Sequence, residues 1–155
     1  MREIKILNSK EKKEIKIKLN KQFGVKEIQG MLIKFGKDRI FFFSGKLKEN
    51  EIRIIESEIP IERIGVYFAR IMNDFPKLSI EGTQILKEQI TKNIFELDEK
   101  QLKNWMSGRD LMISTGQRGF LVMKYKEEVL GCGKASEQKI SNFIPKMRRL
   151  KNMEI

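Results

Sequence analysis

The sequence predicts an α+β fold: a small N-terminal α/β part followed by a small barrel-like sheet. Three observations carry that expectation. Short apolar runs of strand character alternate with segments of helical period through the first part of the chain. The last third is dominated by strands and holds one helix. No Pro-, Gly- or Ser-rich linker separates the two, so they are expected to dock. With 155 residues, 40% of them hydrophobic and 10 of them Phe, the chain can build a core, as one domain or as two small ones that lean on each other.

Taken in order, Arg2–Leu7 alternates with Ile4 and Ile6 on one face and reads as a short strand. Ser9 can cap the segment that follows, where Ile15, Leu19 and Phe23 recur every four residues until Gly24 stops the turn. That pattern predicts a helix, although Ile15, Ile17 and Leu19 also fit a two-residue period and leave a strand open. Met31–Phe35 and Arg39–Ser44 flank Gly36-Lys37-Asp38, a hairpin signal. Phe41-Phe42-Phe43 places aromatics on both faces of its strand and predicts burial on both sides rather than stacking on RNA bases. Glu51–Glu62 mixes Ile and Glu around Pro60 without a clear period. Ile64–Ala69 is the next buried strand, Met72–Pro76 a turn, and Ser79 caps a helix holding Ile85, Leu86 and Ile90. Ile94–Leu97 is a short strand. Asp98 caps a helix with Leu102, Trp105 and Met106 on one face, ending at Ser107-Gly108. Gly119–Tyr125 and Val129–Lys134 are strands joined by a tight turn, and Pro145 breaks the last segment.

The absences narrow the chemistry. The chain has no His, which excludes His-based acid–base catalysis, Ser-His-Asp triads and His-ligated metals. Its single Cys132 excludes an intrachain disulfide and multi-cysteine metal sites, and its glycine-flanked place in a strand makes it a poor nucleophile. No cofactor and no metal are expected. Neither a membrane-spanning run nor a signal peptide is read, so a cytoplasmic protein without a membrane partner is expected.

The charge points to a polyanion. Against 21 acidic residues stand 32 basic ones, a net charge of +11 that attracts polyanions, whether nucleic acid or anionic membrane. The excess is spread, with +6 over residues 1–97 and +5 over 98–155, and scattered lysines can simply solvate a surface. Lys139–Lys151 differs: it carries five basic residues (Lys139, Lys146, Arg148, Arg149, Lys151) and no acid.

A family resemblance joins these pieces. Gly108-Arg109-Asp110-Leu111 follows the helix, then Gly119-Phe-Leu-Val-Met-Lys-Tyr, then Leu130-Gly131-Cys132-Gly133-Lys134, then Asn142-Phe143-Ile144-Pro145-Lys146-Met147-Arg148-Arg149. This order resembles the PUA fold, named for pseudouridine synthases and archaeosine transglycosylases. More narrowly it is similar to the PUA-like tail of rRNA cytosine methyltransferases. The resemblance implies a PUA-like RNA-binding domain, a pseudo-barrel, over 92–155. It also implies a pre-PUA α/β domain over 1–91, similar to segments found in methyltransferase tails and ribosome-assembly factors. The chain departs from many PUA domains at Ile113-Ser114-Thr115-Gly116, where they carry Pro-Gly, and nothing in it resembles a methyltransferase domain.

The candidate RNA contacts are Arg109, Gln117, Arg118, Lys134, Lys139, Lys146, Arg148 and Arg149. Arg109 follows a helix end, where it could equally satisfy carbonyls. Gln117 and Arg118 lie in the Gly116–Gly119 loop, and Lys134 emerges at a strand end. Lys146, Arg148 and Arg149 stand foremost, because a guanidinium forks onto phosphate oxygens. Their alternative role is salt bridging to the Glu56–Glu62 stretch. Gly131 and Gly133 permit close approach, either of a phosphate or of the chain itself at a barrel corner. The expected function is that of a noncatalytic RNA-binding protein, accessory to ribosome biogenesis or RNA modification on rRNA or tRNA. The alternative is an adaptor that docks an RNA methyltransferase or a ribosome-assembly protein. Enzymatic chemistry would have to rest on carboxylates such as Asp110 beside Arg109.

Overall fold

The computed structural model describes residues 4–45, 48–58 and 65–151, except for the side chains of Glu56 and Glu58. An antiparallel N-terminal sheet runs in chain order through β1 (Ile4–Ile6), β2 (Met31–Phe35), β3 (Arg39–Phe43), β4 (Val66–Met72) and β5 (Phe75–Leu78). A second sheet joins β6 (Ile94–Glu96), β7 (Gly119–Tyr125), β8 (Glu128–Ala135) and β9 (Ile140–Ser141) in that order. Its β6–β7 pair is parallel and the others are antiparallel, and it curls into a half-barrel. The helices are α1 (Ser9–Phe23), α2 (Glu49–Glu58), α3 (Ile80–Ile85) and α4 (Glu99–Met106). The fold is α+β, a small N-terminal α/β part followed by a PUA-like pseudo-barrel.

The pleat of β2 and β3 sets the layers. Ile33, Phe35 and Phe41 pack with Ile4, Ile6 and Ile52 of α2 on one face. Leu32, Ile40 and Phe42 turn to the other face and meet Leu19 and Phe23 of α1. Phe41 and Phe42 are therefore buried on opposite sides, as the aromatic triplet predicted.

Three expectations need correction. The cap of α1 is Asn8, not Ser9. Asn8 is extended and accepts from the Glu11 amide at 2.9 Å, while the Glu11 carboxylate accepts from the Asn8 amide at 3.1 Å, a closed capping box. The described part of the unpatterned Glu51–Glu62 stretch lies in α2, whose Ile52 is fully buried while Ile54 is exposed. The expected turn at Met72–Pro76 shrinks to Asn73-Asp74, both with positive φ, and Phe75–Leu78 returns as β5. Pro76 fits there because β5 is the edge of its sheet. Arg2, Ile64 and Pro60 lie outside the described residues.

The core ignores the boundary at 91/92. Phe120, Val122, Val129 and Cys132 of β7 and β8 belong to the same buried cluster as Leu19, Phe23, Phe68 and Leu86. Polar contacts lock the seam: Gln22 Nε2 donates to the Phe120 carbonyl at 2.8 Å, and the Gly131 amide donates to Oγ1 of the fully buried Thr83 at 3.0 Å. A second cluster, around Trp105, lies within the C-terminal part and includes Leu102, Leu121, Met123 and Ile140.

Candidate nucleic-acid interface

Gly131 and Gly133 serve packing inside the chain. Gly131 has φ +81°, and a Cβ there would lie 3.2 Å from the backbone nitrogen of Ile80, which starts α3. A Cβ on Gly133 would meet the Trp105 ring at 2.6 Å and Ile140 at 2.5 Å. The glycine-lined stretch of β8 is thus packed against α3 and the indole.

The candidate cations divide by what they touch. At the end of α4 the Arg109 amide bonds the Asn104 carbonyl, and the Arg109 side chain stays exposed. Asp110 accepts from the Asn142 amide at 2.8 Å and from Lys139 Nζ at 3.0 Å. Arg118 pairs with Glu137 at 2.6 Å, both largely exposed. Gln117 is exposed, its amide bonded to Thr115 Oγ1. After Pro145, residues Lys146–Arg148 form a 3-10 turn. Arg148 pairs with Glu81 of α3; the side chains at 56, 58 and 59–62 of the Glu56–Glu62 stretch lie outside the described residues. Arg149 lies over Gly108 and donates Nε to the Ile144 carbonyl at 3.0 Å. Lys134 and Lys146 are exposed and meet no carboxylate among the described residues; Lys134 Nζ stands 5.8 Å from the Phe120 ring centre. Arg118 and Lys139 line one shallow depression and Arg148 lines another.

The second depression holds residues that sequence reasoning did not single out. Lys77 of β5 reaches over the Phe143 ring at 4.3 Å, beside Tyr67, Cys132 and Arg148. Burial, followed by repulsion from Arg70, pulls the Lys77 pKa below its ordinary value. Burial raises that of Tyr67 and pushes the Cys132 thiol up to about 12, so Cys132 is no thiolate at neutral pH. The strand register, not any local motif, assembles this cleft.

Residues 92–150 match the family described as the Methyltransferase RsmF PUA domain. That segment is a PUA-like domain. It is similar to the corresponding domain of rRNA methyltransferases. Over 131 residues, 81% of its length, the chain is 24% identical to a Ribosomal RNA small subunit methyltransferase F of Psychromonas ingrahamii. Over 93 residues, 59% of its length, it is 25% identical to the protein of the same name from Aeromonas salmonicida. The chain spans 26% and 20% of the lengths of these two relatives. Among the described residues no helix is long and apolar enough to cross a membrane.

The PUA-like domain carries one acid-sensitive contact. The Asn142 amide first, and Lys139 second, hold the Asp110 carboxyl below the usual aspartate range. A carboxylate whose folded pKa is depressed stabilises the fold above its unfolded pKa, about 3.9. That contribution fades as pH falls through the lower folded value. Asp110→Asn is therefore expected to flatten the acid limb of a stability–pH profile measured by urea melts. An unchanged acid limb would show that Asp110 is not linked to folding.

Proposed function

We propose that this chain binds RNA through its PUA-like domain, acting on rRNA or tRNA as a noncatalytic accessory in ribosome biogenesis or RNA modification. The match of residues 92–150 to the PUA domain of an rRNA methyltransferase family carries this reading. The net charge of +11 supports it, as do the exposed cations of β8 and the Lys146 turn. The paired cations remain usable. An exposed ion pair is worth about 0–1 kcal/mol, so a phosphate can replace Glu137 on Arg118 or Glu81 on Arg148. Arg149, tied to the Ile144 carbonyl, is placed to support the turn.

The test is fluorescence anisotropy with a labelled RNA stem–loop and a labelled oligouridine across a salt titration. If about four to six phosphates are contacted, log K falls with log salt at a slope of about −3 to −4 on the single strand. Lys134→Gln/Lys146→Gln is expected to reduce that slope by about 1.4 if each lysine meets one phosphate. Absence of binding to either RNA at low salt would overturn the reading. Met147, 98% exposed in the same turn, favours the adaptor alternative; co-purification of a stable protein partner without RNA affinity would support it.

A further inference from the structure

We infer that the RNA-binding surface continues off the PUA-like domain onto the N-terminal sheet, where the row Arg39–Arg70–Lys77 holds a single-stranded RNA segment. This rests on the proposed RNA binding and extends it to named residues of the N-terminal part.

The register carries the inference. Arg39 of β3 stands opposite Arg70 of β4, and Arg70 stands opposite Lys77 of β5. Residues directly opposite share a face, so three cations lie side by side across three adjacent strands. Like charges in that arrangement oppose folding. One carboxylate among the described residues answers them: Asp38 accepts from Arg70 Nε at 2.8 Å. Among the described residues no carboxylate pairs with Arg39 or Lys77, and Arg39 is exposed. Within the described residues the sheet thus keeps a stretch of uncompensated charge that an external anion would relieve.

The row also meets the PUA-like domain. Lys77 Nζ sits 4.3 Å from the centre of the Phe143 ring, Phe143 and Phe120 have ring centres 6.2 Å apart, and Lys134 lies 5.8 Å from Phe120. Cations and aromatic rings therefore run from β5 across the seam to β8, with Arg148 lining the same cleft as Lys77. A cationic track beside the partly exposed Phe143 ring suits a single strand, whose backbone follows the charge while an unpaired base can meet that ring; Phe120 is buried beneath it. A rigid duplex has no bases free for that ring. Repulsion from Arg70 is part of what lowers the Lys77 pKa, and a bound phosphate would act in the opposite sense.

The experiment compares oligouridine affinity and thermal melting of the full chain, of Arg39→Gln/Lys77→Gln, of Arg39→Gln alone, and of Lys134→Gln/Lys146→Gln. Removing the two cations is expected to weaken oligouridine binding about tenfold and to reduce the salt slope by about 1.4. The melting temperature is expected to hold or rise, because opposed like charges are removed. Arg39→Gln alone is expected to show a smaller loss of affinity, and it covers the case in which losing the Lys77 stem disturbs packing. Unchanged affinity in both N-terminal variants, with weaker binding in Lys134→Gln/Lys146→Gln, would overturn this inference and leave the proposed function standing. Absence of RNA binding by the unaltered chain would overturn both.

Discussion

Trp105→Ala is expected to lower stability by about 3–5 kcal/mol, a large part of the roughly 5–15 kcal/mol that holds a domain together. Trp105 is fully buried and anchors the C-terminal cluster with Leu102, Leu121, Met123 and Ile140. Its ring presses on the backbone of β8 at Gly133, where a Cβ would come within 2.6 Å of the indole. The variant leaves a cavity that neither β8 nor α4 can fill without leaving its partners. Gly133→Ala strains the same contact from the other side, at an expected cost of about 1–3 kcal/mol. Combining Gly133→Ala with Trp105→Phe should cost less than the two costs added, because the smaller ring withdraws from the new methyl. A coupling of about 0.5–3 kcal/mol is expected. Urea melts followed by far-ultraviolet circular dichroism measure the unaltered chain, Trp105→Ala, and the cycle of Gly133→Ala, Trp105→Phe and their combination. Strict additivity would mean that ring and glycine do not share one space.

The second large effect crosses the seam. Phe68→Ala, in β4, is expected to cost about 3–5 kcal/mol. Phe68 is fully buried and stacks on Phe42 with ring centres 5.6 Å apart, within the cluster that also holds Phe120, Val122 and Cys132. Trp105 is the only tryptophan and lies in the other cluster, so its fluorescence reports the C-terminal sheet. If the shared core couples the two sheets, Phe68→Ala shifts the unfolding midpoint seen by Trp105 as much as the midpoint seen by circular dichroism. A fluorescence midpoint that stays in place would show that the halves unfold separately.

These particulars also show how far the amino-acid order reaches. The first helix, the β2–β3 hairpin and the β7–β8 hairpin announce themselves, because each is a local period bounded by a local stop such as Gly24 or Gly36-Lys37-Asp38. β5 hides behind Pro76, whose presence in a strand becomes sensible only once that strand is known to be an edge. α2 hides because a single residue, Ile52, carries its deepest burial, too little for a visible period. The site was less legible. Glu81 is 67 residues from Arg148 and Asp110 is 29 from Lys139, so no local pattern announces that these cations have carboxylate neighbours. The Arg39–Arg70–Lys77 row exists only in the pairing of three strands and leaves no trace along the chain. Gly131 and Gly133 were visible as places of close approach, but what approaches, Ile80 and Trp105, is set by tertiary structure.

The common core that joins the sheets has a bearing on how this architecture can be inherited. A gene fragment encoding residues 92–150 alone would strip Phe120, Val122 and Val129 of their neighbours and leave an oily wall in water. An alignment of 131 residues with the Psychromonas protein is too long to fit inside either part. The two sheets are accordingly expected to be more stable together than residues 92–150 are alone.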